Sequence, residues 1–183
     1  MNEKYWKEFY KGDKAPKDPS SFALFCLDYI PEKCVLWDIG CGNGRDTDFF
    51  IKERKKSAIL GIDLCAPQGF NFLTRNIKNL TEREFTKANV IYSRFFLHSI
   101  DNFEIQDLLS KIKERSFFMA EMRAEGDKPL LFKDHKRNYI DGNLLLKYLI
   151  KLDFEILYFT KDRGLAKYKN EDPLVIRVIA IKK

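Results

Sequence analysis

The chain has 183 residues, 45% hydrophobic, 14% aromatic and 33% charged, a balance that excludes intrinsic disorder and suits one packed domain spanning 1–183 rather than two. Lys and Arg number 33 against 27 Asp and Glu, a net charge of +6, which points to an anionic small ligand without calling for nucleic acid. No segment reaches the roughly 20 apolar residues needed to cross a bilayer, and the opening MNEKYWKEFYKGDK holds no signal-peptide run, so a cytoplasmic protein without membrane insertion is expected.

In chain order, residues 1–30 are expected to be a helical segment. Its aromatics Tyr5, Trp6, Phe9 and Tyr10 fall at helical spacing, and it either packs on the body or closes over the site as a lid. Strand character follows at 35–39 (VLWDI), 58–62, 89–95, 116–120 and 174–181, in runs rich in β-branched and aromatic residues. Helices are expected at 45–55, 101–114 and 141–152. The second of these carries Phe103, Ile105, Leu108, Leu109 and Ile112 near a 3.6-residue period, with Asp101 as its cap. If 71–75 is the third strand, only residues 64–70 join it to the second, too few for a helical crossover. Strand and helix therefore alternate, which predicts an α/β, doubly wound, mostly parallel sheet with ligands at the carboxyl ends of the strands. The end of the chain departs from alternation. A strand at 153–160, a polar link at 161–172 and the closing strand predict one antiparallel pair.

Residues 35–46 read VLWDIGCGNGRD, a strand running into a glycine-rich turn and then a helix start, where free N–H groups and close backbone approach suit a ligand. The spacing G-x-G-x-G is not the dinucleotide G-x-G-x-x-G, which argues against a nicotinamide oxidoreductase. Asp38 stands two residues before Gly40, and a carboxylate there suits a cationic amino group better than a pyrophosphate. Asp63 follows Gly44 by nineteen residues at the end of the second strand, where an acid can accept from both ribose hydroxyls. The fourth strand leads into Ser93, Arg94 and then His98, one of two histidines and a candidate general base. Four cysteines (Cys26, Cys34, Cys41, Cys65) show no metal or disulfide spacing, so reduced thiols and no metal site are expected.

This pattern resembles the S-adenosylmethionine site of class I methyltransferases. The resemblance implies that Asp38, Gly40 and Gly42 surround the methionyl part of the cofactor and that Asp63 holds its ribose. It also assigns Cys41, Asn43 and Arg45 of the turn, Leu64 after Asp63, and Ser93 and Arg94 after the fourth strand to cofactor binding. Asn76 falls where many relatives carry an acid facing the adenine amino group, with Ile77 packed on the ring. Further motifs extend the likeness to small bacterial methyltransferases of capsular and other surface-polysaccharide gene clusters. These are Tyr5-Trp6-x-x-Phe9-Tyr10, Pro19-Ser20-Ser21-Phe22-Ala23, Gly40 to Asp46, Ser93-Arg94-Phe95-x-Leu97-His98, and Glu171-Asp172-Pro173-x-x-x-Arg177.

Acceptor binding is expected from Tyr10, from Arg123 and Asp127 after the fifth strand, and from the basic run Lys128, Lys133, His135, Lys136 and Arg137, since guanidinium forks suit phosphate or carboxylate. His98 or His135 would serve as base if the nucleophile is a neutral hydroxyl. The expected activity is O-methylation of a small anionic sugar- or phosphoryl-linked precursor, phosphoramidate included. The rivals are a non-catalytic cofactor-binding or recruiting protein and a methyltransferase acting on RNA. A homo-oligomer is left open.

Overall fold

The computed structural model describes residues 6, 8, 10, 15–127 and 138–183. Strands β1 (Val35–Ile39), β2 (Ala58–Asp63), β3 (Phe72–Thr74), β4 (Val90–Arg94), β5 (Phe117–Arg123), β6 (Phe154–Asp162) and β7 (Val175–Lys182) form one sheet in the order β3-β2-β1-β4-β5-β7-β6. All neighbours up to β5 are parallel, and β7 runs antiparallel between β5 and β6. The expected final antiparallel pair is therefore present, and β2 and β3 are joined without a helix.

Side chains alternate along each strand, so the sheet buries two separate layers. Leu36, Val90, Tyr92, Met119 and Ile179 pack with Phe22, Ala23 and Cys26 of α1 (Ser21–Cys26) and Phe50 of α2 (Arg45–Glu53). Trp37, Ile91, Phe118 and Val178 face the opposite layer. There they meet Phe85 of α3 (Glu82–Phe85), Ile105 and Leu109 of α4 (Asn102–Lys111), and Leu145 and Leu149 of α5 (Gly142–Lys151). Asp101 caps α4 as expected, in a capping box with Glu104. No helix among the described residues is long and apolar enough to cross a membrane.

Two boundaries differ from expectation by three residues. α4 stops at Lys111, with Ile112 already extended. β5 continues three residues past 120 to Arg123, because Glu121, Met122 and Arg123 pair with Arg177, Ile176 and Val175 of β7. That extension carries two charged side chains into the sheet. β1 pairs with β2 on one side and β4 on the other, so the order in which strands are added to the sheet reverses between β1 and β4, where a crevice opens at the carboxyl ends in such sheets.

Candidate active site

The first wall of the crevice is built from β1, β2 and the glycine turn. Asp38 is 2% exposed and accepts from the Thr47 hydroxyl at 2.6 Å. Burial, followed by the charge of Asp46, pushes its carboxyl up to about 8. Asp63 accepts from the amides of Cys65 (2.7 Å) and Gly42 (3.2 Å). Burial raises its pKa too, while those two bonds pull it back. Gly42 lies at φ 55°, and a Cβ there would stand 2.5 Å from the Tyr10 hydroxyl, so only glycine lets that ring settle on the turn. Burial and the Asp63 charge push the Tyr10 phenol upward.

The remaining turn residues face the N-terminal strap. Asn43 donates to the Pro16 carbonyl (2.8 Å) and Arg45 to the Asp18 carbonyl (2.9 Å). Asp46 is 5% exposed and accepts from the Ser20 amide, the Ser20 hydroxyl and the Tyr92 hydroxyl at 2.7, 2.7 and 2.8 Å. Burial also lowers the Arg45 pKa, reinforced by the Arg94 charge.

The second wall comes from β4, β5 and the link before β7. Glu121 is fully buried and accepts from Arg94 Nε and Arg177 Nε, each at 2.7 Å. Arg177 continues to the Ser21 hydroxyl and the Leu165 carbonyl, so one guanidinium ties the sheet centre to both the strap and the link. Arg123 pairs with Glu171 at 2.5 Å. Phe95, at φ 55°, lies under the guanidiniums of Arg94 and Arg123, at 4.3 and 5.7 Å from its ring centroid. His98 is 2% exposed, and its Nδ1 accepts from the Arg123 amide at 3.3 Å. In the neutral ring that bond leaves the proton on Nε2.

A cavity of about 510 Å³ opens between these walls, and Tyr10, Asp38, Arg45, Asp63, Arg94 and Arg123 line it together with Gly40, Cys41, Asn43 and His98. A second cavity, also about 510 Å³, shares Asp63, Phe96 and Ser99 with the first and is lined by Leu64, Asn76 and Ile77. Asn76 already accepts from the Lys78 amide, which leaves its carbonyl oxygen one further acceptor site.

Three assigned residues stand apart from both cavity walls, the first being Gly42, which the Tyr10 ring covers. Ser93 is buried and donates to the Ile39 carbonyl, bracing β4 on β1. Asp127 accepts from Arg163 and from the Leu174 amide, fastening the end of β5 to the later link. His135, Arg137, Lys128, Lys133 and Lys136 lie outside the described residues. Sequence reasoning gave no specific role to Asp46, Phe95, Glu121 or Glu171. Asp46, Phe95 and Glu171 carried a signal through the Gly40–Asp46, Ser93–His98 and Glu171–Arg177 motifs, three stretches far apart in the chain that meet here, whereas Glu121 belongs to none of them.

No family model and no curated protein sequence matches the chain. Solved structures do match. A SAM-dependent methyltransferase from Methanosarcina mazei superposes with TM-score 0.69 at 18% identity, covering 86% of this chain and 96% of its own. The fold is that of the class I methyltransferases. A Burkholderia thailandensis 1,6-didemethyltoxoflavin-N1-methyltransferase, solved with 1,6-didemethyltoxoflavin and S-adenosylhomocysteine, shares this methyltransferase fold at TM-score 0.76 and 14% identity over 99% and 87% of the two chains. A glycopeptide N-methyltransferase complexed with S-adenosylmethionine shares it at 0.64 and 9%, over 91% and 95%.

Proposed function

We propose that the protein is an S-adenosylmethionine-dependent methyltransferase that methylates an oxygen of a small anionic acceptor, a sugar- or phosphoryl-linked precursor of a surface polysaccharide. The observation that carries this reading is the pair of carboxylates, buried Asp38 and half-buried Asp63, at the tips of adjacent parallel strands beside a G-x-G-x-G turn. Asp38 would take the ammonium group of the methionyl part, and Asp63 the ribose hydroxyls. Asn76 and Ile77 in the adjoining cavity would meet the adenine. Trp6 and Tyr10 line the first cavity, which supports residues 1–30 acting as a lid over the cofactor.

When bound, the cofactor supplies a methyl group already activated by its sulfonium. The protein's part is to exclude water and align the acceptor for in-line attack. Arg94, Arg123 and Arg45 give the acceptor side its positive charge, which supports an anionic acceptor. His98, held through Nδ1, carries its neutral-state proton on Nε2 and accepts a second only if the Arg123 amide bond opens. That arrangement favours an acceptor whose oxygen is already anionic over one that needs a base.

The test is transfer of labelled methyl from S-adenosylmethionine to small-molecule, RNA and protein fractions of a cell extract. Label in the anionic small-molecule fraction is expected. Label in RNA alone would replace the acceptor assignment, and no transfer with intact cofactor binding would favour a non-catalytic binding protein.

A further inference from the structure

Arg123 lines the first cavity, with its side chain only 7% exposed. Among the described residues its guanidinium donates a single hydrogen bond, from Nη2 to Glu171, and its buried Nε has no partner. A buried guanidinium with five donors and one acceptor is under-used, and an unpaired buried donor is costly. Its partner is placed differently. Glu171 belongs to the link between β6 and β7, and its side chain is 53% exposed, so it can leave for water at little cost while Arg123 cannot.

Among the described residues Arg123 has no other ion-pair partner. Glu121 already serves Arg94 and Arg177 at 2.7 Å each, so that buried group carries one net positive charge. Arg94 and Arg123 share the Phe95 ring, whose left-handed backbone at φ 55° is a strained conformation of the kind that clusters at ligand sites. With Glu171 swung outward, Arg123 would face the cavity over that ring without a counter-charge, beside Arg94, whose own partner Glu121 is shared with Arg177.

We propose that the Arg123–Glu171 pair is a place-holder: an oxyanion of the acceptor, phosphoryl or carboxylate, displaces the Glu171 carboxylate and takes the fork of Arg123 beside Arg94. This deepens the methyltransferase reading by naming the acceptor subsite and its competitor, but the subsite's anion affinity does not depend on cofactor chemistry. Opening of the Glu171 link is then coupled to acceptor entry, because the same side chain cannot hold Arg123 and leave room for the anion.

Binding of inorganic phosphate, and of acetate in a parallel arm, is measured by calorimetry on the full chain at fixed ionic strength, with S-adenosylhomocysteine binding measured separately. Glu171→Gln removes the internal competitor and is expected to raise phosphate or acetate affinity at least threefold. Arg123→Met is expected to lower it at least fivefold, and Arg123→Lys, which keeps the charge without the fork, to lower it in the same direction. Glu32→Gln changes net charge equally at an exposed carboxylate before β1 and is expected to leave it unchanged. The arm with the larger response to Glu171→Gln identifies the oxyanion. Equal affinity in wild type, Glu171→Gln and the Arg123 variants, an equal gain in Glu32→Gln, or no anion binding at all would overturn the proposal. Failure of S-adenosylhomocysteine to bind while the anion series behaves as expected would overturn the cofactor assignment instead.

Discussion

Asp38 concentrates the chemistry of the cofactor side. Its carboxyl, raised to about 8 by burial and then by Asp46, must ionise to receive an ammonium group, so cofactor binding below that pH releases a proton. S-adenosylhomocysteine affinity is expected to rise with pH from 6 to about 8 and level off above it, and calorimetry in Asp38→Asn should show weaker binding without that rise. The sign for stability is opposite. A folded pKa above the unfolded value of roughly 3.9 gives a contribution that is full below the unfolded pKa and lost as pH climbs through 8. Asp38→Asn should therefore melt progressively higher than wild type as pH rises from 5 to 9. At His98 the Arg123 amide bond is the feature to preserve. His98→Asn can offer an amide oxygen near the Nδ1 position and is expected to keep turnover within about threefold, whereas a loss of a hundredfold or more with intact folding would make the ring a base.

Residues 15–20, the extended β5 and the link before β7 are held by buried charge as well as by apolar packing. Glu121→Gln leaves Arg94 and Arg177 with one less buried counter-charge and is expected to destabilise the fold by about 3–5 kcal/mol in urea unfolding. Ser20→Ala removes a hydroxyl that both caps α1 at Ala23 and donates to Asp46, an expected loss of about 2 kcal/mol. These elements were the least legible in the sequence. Glu121, Met122 and Arg123 read as the start of a loop because charges in a strand are unfavourable unless partnered, and their partners, Arg94 and Arg177, lie 27 and 56 residues away from Glu121. By contrast β1, the turn and β2 were legible to within a residue, since an apolar run ending at Asp38 and three alternating glycines depend only on local sterics. Ser93 shows the limit of transfer by motif. Its position after an apolar strand suits a ligand contact, yet its hydroxyl is spent on the Ile39 carbonyl.

For the molecule as a whole, the order β3-β2-β1-β4-β5-β7-β6 places Asp38, Asp63, Arg94 and Arg123 at the carboxyl ends of four parallel strands. Of these four, the acids stand on the β1–β2 side and the arginines on the β4–β5 side. The division separates a pocket suited to a cationic, ribose-bearing cofactor from one suited to an anion, with a common cavity between them. Alternation of strand and helix was enough to expect the sheet. The partition of charge required knowing which strand ends meet. The most direct measurement is diffraction from crystals grown with S-adenosylhomocysteine. Density should span the ends of β1 and β2, with the amino group on Asp38, both ribose hydroxyls on Asp63 and the thioether sulfur facing Arg94 and Arg123; an empty crevice, or a ligand whose ribose lies away from Asp63, would contradict the account.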